Sequence, residues 1–575
     1  MNKKWCIQNP YSIFVMLLLL CFGIYNITKS YGFIIFPDEF GYWTYAAMLA
    51  GYDWSDIVSL GSYYSYGYSL ILFPIFVLCK DAVIAYRIAI AVNFILLLFC
   101  FFVLKWLARR LFCGMKDSTV VFGAAIAVCY PSWLFYARTT LAEIVIVTLY
   151  AAICMLLYDY LEHNRLSTLI MLVLALVFIH FVHMRTVAVL IACAMTLVAY
   201  FIAKKKKVKQ CICFLLVLAG LFAIGYGLKE WITGNIYVTS ENVKTNDYAG
   251  QMGKFAYMLT KEGFVNLVIS IAGKLLYLGV ASFGLGFWGM WHAAKQVFEA
   301  VRGWKKGEKI TTAQWLSLFV LLATIGSIMI NAIYTIRPGR VDALSYGRYH
   351  EYVLPILMLL GMREIGERVK VARSTLVIIL LEVVMTALVT WSLYTYGQTN
   401  MHGYMMVGMS YVHDIEDVEP ISFYWKAMCF GTILTVLVTF VIRIIRKKKH
   451  LEIFFLLILT LELLLAVKAG ALYLDDSAKG AYRDTKIAER IEKLQEDEER
   501  AVYYLHDGDY ALISILQFML RGEDIQIVSN EEGWQEKLEE EDLLLVDYRS
   551  SLAEELQEQY GFYMENGHFI LYYND

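Results

Sequence analysis

The chain has 575 residues, 59% of them hydrophobic, and a mean hydropathy of +0.55. Apolar segments of about 18 to 25 residues recur from Tyr11 to Gly470, the length that carries a helix across a bilayer, so a water-soluble globular enzyme is excluded. The net charge of −2 conceals a division: from Leu472 to Asp575 there are 26 acidic and 9 basic side chains, a balance of −17, against +15 for the remainder.

In chain order, the spans are expected near 11–30, 82–107, 118–137, 141–160, 166–183, 186–203, 210–228, 266–291, 313–334, 350–364, 374–396, 422–443 and 451–470. That makes about thirteen transmembrane helices. The first has no small-residue cleavage pattern after it and is expected to be retained. The apolar run 66–79 is short and carries Pro74, which suits an interfacial helix and not a span. The basic clusters are Lys3-Lys4, Lys105 to Lys116, Arg165, "KKKKVK" from Lys204, "RGWKKGEK" from Arg302, Arg363 to Arg373 and "RKKKH" from Arg446. With this set of spans they all fall on one side, which the charge rule makes cytoplasmic. Segments 31–81, 137–142, 229–265, 335–349 and 397–421, and the tail from 472, then lie outside.

The fold class expected is an all-α polytopic membrane domain, 1–471, with a first extracytoplasmic loop at 31–81, followed by a small acidic α/β extracytoplasmic domain, 472–575. In the tail, "DTKIAERIEKLQ", "YALISILQFML" and "SLAEELQEQY" read as helices. "AVYYLHD", "IQIVS" and "DLLLVDY" read as strands, and "FYMENGHFILYY" as a hairpin with Asn-Gly at its turn. The tail has no phosphate loop and no nucleophile elbow. Eleven cysteines are scattered through apolar segments without metal-ligand spacing, and none lies beyond Cys429.

Three polar clusters stand out on the expected outer face. In "YGFIIFPDEFGYWTYAAMLAGYDW", Asp38 and Glu39 open an aromatic, helix-like run. Carboxylates at a membrane face usually meet water or a cavity, although Asp after Pro37 equally suits a plain helix cap. The loop continues as "YDWSDIVSLGSYYSYGYSLILFP", whose Tyr, Trp and Gly, Tyr66 among them, suit sugar stacking. In "YPSWLFYARTTLAEIVIVTLY", Arg138 and Glu143 flank an outer turn, where Glu143 also complements a helix dipole. In "IRPGRVDALSYGRYHEYVLPILMLL", Arg337, Arg340 and Arg348 lie outside, with Arg348 and Tyr349 where the next helix begins. A guanidinium there fits an anionic phosphate oxygen by charge and fork; contact with lipid headgroups is the alternative. Arg185 and Arg87, with His180 and His183, add charge near the same face. His180 and His183 are three apart without an evident third ligand, so no zinc site is expected.

This order of features resembles the GT-C superfamily of integral-membrane glycosyltransferases. Within it the likeness is to the branch holding the protein O-mannosyltransferases and the lipid A aminoarabinose transferases. It rests on "FPDEFGYWTYAAML", "YSYGYSLILFPIF", "YARTTLAE" and "YGRYHEYVLP", and covers roughly residues 10–370. The resemblance implies a sugar donor carried on a polyprenyl phosphate, with Asp38 at the catalytic acid position, Glu39 beside it and Glu143 as a second loop acid. The lysine or histidine-proline element of some branches is replaced here by "SYYSYGYSL". Donor and acceptor class are therefore left open: the acceptor is a glycan, a lipid or a protein.

The residues fit that chemistry. Transfer from a lipid phosphate needs a base for the acceptor hydroxyl and positive charge for the leaving phosphate. Asp38 suits the first, and Arg138 or Arg348 the second, with Tyr349, Arg185, His183 and Tyr66 as further substrate-binding candidates. No second carboxylate is placed as a nucleophile, which points to a single inverting displacement. No cofactor is assigned from the sequence, and a divalent cation stays open. Membrane lipids are expected neighbours, nucleic acid is not, and a bacterial plasma membrane is the expected location. The alternatives are an extracytoplasmic polysaccharide polymerase or ligase of another fold, or a lipid-linked glycan transporter. The transporter would need polar or broken helices at mid-membrane, and most spans here are uniformly apolar.

Overall fold

The computed structural model describes residues 9–574 except 36, 62–63, 113, 205–207, 238–247, 337–340, 342, 369–370, 398–402, 414–418, 448–450, 497–499, 507–510 and 532. Arg337 and Arg340 of the third polar cluster therefore lie outside the described residues. The protein is an integral membrane protein built mainly of helices. Ten described helices are long and apolar enough to cross a bilayer, among them Pro10–Ile27, Ala82–Leu111, Glu143–His163, Met184–Ala203 and Thr312–Thr335.

Shorter helices replace several expected spans. The run 118–137 is two helices, Asp117–Val128 and Pro131–Tyr136, broken where Pro131 starts the second. The run 350–364 begins as 3-10 turns, Gly347–Tyr349 and Glu351–Val353, before the fully packed helix Leu354–Glu367. Fourteen residues rise only about 21 Å, short of a bilayer core. The segment 66–79 forms the ten-residue helix Ser69–Leu78, which at about 15 Å is too short to cross.

The expected span 266–291 is corrected. Its first part is the helix Lys261–Ala281, and a second helix, Leu285–Lys305, starts after a sharp turn. Phe283 and Gly284 both take positive φ there, 54° and 78°. Hydrophobicity runs unbroken through "SFGLGFWGMW", so only the backbone freedom of Gly284 signals the turn. The second helix packs along Leu354–Glu367, and His292 meets Glu364 at 2.9 Å between them.

The tail carries a mixed sheet of β1 (Val502–His506), β2 (Ile525–Ser529), β3 (Leu543–Asp547), β4 (Phe562–Asn566) and β5 (Phe569–Tyr573). Their order is β2-β1-β3-β5-β4. β1 runs parallel to β2 and β3, and β5 pairs antiparallel with β3 and β4. Asp484, on the helix Asp475–Gln495, accepts from the His568 backbone at 2.8 Å and from its Nδ1 at 2.7 Å, pinning the hairpin turn.

This domain rests on the first loop. The Phe518 ring lies 4.5 Å from Phe33 and 4.8 Å from Trp43. Trp54 Nε1 donates to Arg521 O at 3.0 Å, and Arg521 Nη1 donates to the carbonyls of Phe76 (2.9 Å) and Cys79 (2.7 Å). The loop, the start of the helix Glu143–His163 and the tail domain thus meet at one end of the bundle.

Candidate active site

The adjacent acids of the first loop do different work. Glu39 is fully buried. Its Oε1 accepts from the backbone N–H groups of Ile34 (2.7 Å) and Ile35 (2.8 Å). Its Oε2 accepts from Thr140 N (2.5 Å), Thr140 Oγ1 (2.7 Å) and the Tyr86 hydroxyl (2.9 Å). Burial pushes this carboxyl above its usual range, against the pull of the donors from Ile35, Thr140 and Ile34. Five donors leave it no lone pair aimed at a substrate: it staples the first loop to the 139–143 turn.

Asp38 begins the helix Asp38–Leu49 and points elsewhere, making no cap hydrogen bond. Its Oδ2 lies 2.5 Å from Arg348 Nη1, and its Oδ1 accepts from the Tyr64 hydroxyl at 2.6 Å. Arg348 Nε donates at 2.6 Å to Oε1 of Glu143, the first residue of the helix Glu143–His163. The same oxygen accepts from Arg185 Nη2 at 2.8 Å. Arg185 sits in the 3-10 turn Met184–Thr186. Four residues from four distant segments thus form one chain: Asp38, Arg348, Glu143, Arg185. Two cations balance two anions.

The burial of these groups is uneven. The side chains of Arg348 and Glu143 are 2% and 1% exposed, that of Asp38 23%. Burial opposes the charge of Arg348, but Glu143 and then Asp38 outweigh it and hold the guanidinium well above its usual range. Burial, and next the charge of Asp38, likewise hold the Tyr64 hydroxyl well above its usual range, so it stays protonated and donates. Lys274 steadies the segment before Arg348 by donating to the carbonyls of Ala343 (2.6 Å) and Leu344 (3.0 Å).

The network opens onto a cavity of about 500 Å³. Asp38 is the only carboxylate among its described lining residues, which include Tyr64, His183, Arg185, Asn331, Tyr346, Tyr349, Tyr404 and Met405 and the apolar Phe255, Ile330 and Ile333. Arg185 stacks over the Tyr349 ring at 4.7 Å, and the His183 ring is 5.9 Å from it. Nε and Nη1 of Arg185, and Oε2 of Glu143, are buried without a hydrogen-bond partner. Each such atom costs about 1–3 kcal/mol when left unpaired, and a buried cation lining a cavity is the natural partner of an anion.

Not every expected residue joins this group. Arg138 is tied to Asp475 of the tail domain at 2.7 Å. Tyr66 donates to Gly225 O at 3.0 Å and stacks on Phe181 at 5.3 Å, inside the helix packing. Neither lines the cavity. Tyr64, Tyr346, Tyr404 and Met405 were not singled out from the sequence, although "SYYSYGYSL" and "YGRYHEYVLP" hold the first two. The positions 404–405 carried no sequence signal. Among the described residues no three His, Cys, Asp or Glu side chains group as a metal site would need, and both network carboxylates already face guanidinium groups.

No protein-family model and no curated protein matches the chain. Solved structures do. ArnT from Cupriavidus metallidurans in the apo state aligns over 98% of this chain and 97% of that one, at 13% identity and a TM-score of 0.50. The same protein bound to undecaprenyl phosphate aligns over 98% of both chains, at 12% identity and a TM-score of 0.53. From the first membrane helix through the C-terminal sheet domain, the chain has the GT-C-like fold of ArnT.

Proposed function

We propose that the protein is an integral-membrane glycosyltransferase that moves a sugar from a polyprenyl-phosphate-type donor to an acceptor hydroxyl on the extracytoplasmic face. One observation carries this reading. A buried network of two carboxylates and two guanidiniums opens, through Asp38 and Arg185, onto a largely apolar cavity at one end of a membrane bundle. A lipid phosphate needs such a place: charge for its head, and apolar walls beside it for its chain. The ArnT fold, seen in one neighbour with undecaprenyl phosphate bound, supports the same donor class.

Each residue then has a role. Arg185 meets the phosphate with the nitrogens that lack partners, backed by the Tyr349 ring and His183. Asp38 is the general base; each of its oxygens keeps a second lone pair beyond the bonds from Arg348 and Tyr64. The acceptor oxygen attacks the anomeric carbon, its proton passes to Asp38, and the bond to the phosphate oxygen breaks with the electron pair leaving on phosphate. One displacement inverts the anomeric centre. Arg348 and Glu143 position these two groups against each other. Glu39 holds the loop and Arg138 the tail domain; neither touches the reacting atoms.

The test is reconstitution of the purified chain with an undecaprenyl-phosphate-linked sugar. Wild type should bind undecaprenyl phosphate and consume the donor, and Asp38→Asn should bind it without turnover. No binding of undecaprenyl phosphate by wild type would refute the proposal.

A further inference from the structure

The helix Asp38–Leu49 borders two cavities. Pro37, Gly41, Thr44 and Met48 follow each other at helical steps of four, three and four, so they share a stripe. That stripe rises about 16 Å. At its start Asp38 faces the cavity described above. At its far end Thr44 and Met48 line a second, open cavity of about 280 Å³ with Tyr52, Asp53, Trp54 and Asn235. A small cavity of about 20 Å³, bordered by Pro37, Gly41, Thr44 and Tyr64 together with Phe40, Ile57 and Ser514, shares Thr44 with the second cavity and Tyr64 with the first; it has room for about one water.

The two cavities are chemically unlike. The first is mostly apolar, its polar lining being Asp38, Arg185, His183, Ser65, Asn331 and the tyrosine hydroxyls. The second offers the Tyr52 ring, 38% exposed, next to the exposed carboxylate of Asp53 and the exposed amide of Asn235. An aromatic face flanked by a carboxylate and an amide suits a pyranose, whose C–H face is apolar and whose hydroxyls need acceptors and donors.

Tyr64 stands between the small cavity and the first, lining both. Its ring lies directly on Gly41, where any Cβ would overlap it, so the close approach requires glycine. Its hydroxyl donates to Asp38 Oδ1 at 2.6 Å. One rotation of this side chain would clear the space over Gly41 and free that lone pair of Asp38 together.

We propose that the outer cavity is the acceptor subsite, that it takes a hydroxyl-rich saccharide, and that Tyr64 is the movable partition through which the acceptor hydroxyl reaches Asp38. This rests on the transferase reading: the hydroxyl arriving past Tyr64 is the one whose proton Asp38 receives. Donor and acceptor then approach from opposite sides of Asp38, the lipid through the apolar cavity and the saccharide from water.

The experiment is saturation-transfer NMR on the full chain in nanodiscs, with methyl glucoside, methyl galactoside and methyl mannoside as probes. Wild type should show saturation transfer to at least one probe. Tyr52→Ala, which removes the stacking face, and Asp53→Asn, which removes the charge from a hydrogen-bond acceptor, are both at exposed positions and should each weaken it about tenfold. Saturating undecaprenyl phosphate should not displace it. Absence of transfer in wild type, an unchanged signal in both variants, or displacement by undecaprenyl phosphate would each overturn the subsite. Failure of wild type to bind undecaprenyl phosphate, with the glycoside signal intact, would instead strike the transferase reading.

Discussion

Asp38→Asn separates catalysis from structure. The amide can keep both contacts: its oxygen faces Arg348 Nη1, and its NH₂ donates to the Tyr64 oxygen, whose proton then turns elsewhere. What it loses is charge assistance on one bond to a buried guanidinium, about 1–2 kcal/mol of stability. Arg348 still has Glu143, so its own charge stays compensated. The network changes from neutral to one net positive charge, so a phosphate at Arg185 should bind as well as before or more tightly. Turnover should fall by about 10²-fold or more, the usual contribution of a positioned base, which corresponds to about 2.7 kcal/mol in the barrier. The assay is donor consumption at saturating donor, beside binding of undecaprenyl phosphate, on protein matched for amount and assayed well below the melting temperature of both forms. Transfer at near wild-type rate would refute the assignment of Asp38 as base, since an amide cannot take the proton.

Arg185→Ala should weaken undecaprenyl phosphate binding by about tenfold or more, and Arg185→Lys by less, because lysine keeps the charge but loses the fork; equilibrium binding on purified protein checks the order. Glu39→Gln should lower stability by about 3–5 kcal/mol, since its amide nitrogen cannot accept from the donors at one of the two oxygens; a thermal melt in detergent reads it, and a melt like wild type would refute the staple. Arg138→Ala removes a partly exposed ion pair with Asp475 and should cost about 1 kcal/mol or less, leaving undecaprenyl phosphate affinity unmoved. Cysteine labelling at Gly253, Lys306 and Asn574 should find the first and last outside and Lys306 inside; Asn574 inside, or Lys306 outside, would remove the shared outer face.

The parts legible in the sequence are those governed by local patterns. All five strands and three helices of the tail appear where alternation and helical periodicity place them, because each segment is short, strongly patterned and closed by turn residues. The membrane spans are legible by length, and break down where length is an ambiguous guide, as at Phe283-Gly284. The site is different. "DE" looks like one feature in the sequence, yet the start of a helix turns its two side chains to separate partners. Glu39 meets backbone donors five and four residues before it and a threonine 101 residues after it. Asp38 meets an arginine 310 residues away. Which of two adjacent acids faces the cavity is decided by those distant partners, and a single sequence does not record them. Arg138 shows the converse: its partner, Asp475, belongs to a segment with no sequence link to the site.

The docking of Phe518 and Arg521 has a consequence in time. During synthesis the first loop emerges early, with the rings of Phe33, Trp43 and Phe76 among its apolar surfaces. Their cover, and the guanidinium that ties off the carbonyls of Phe76 and Cys79, is made more than 400 residues later. At elongation rates of about 5–20 residues per second that interval is about 20–90 seconds. For that time the loop bearing Asp38 is inserted but not braced. A chain interrupted before residue 518 would keep every residue of the Asp38–Arg348–Glu143–Arg185 network and still lack the support beneath the loop that presents it.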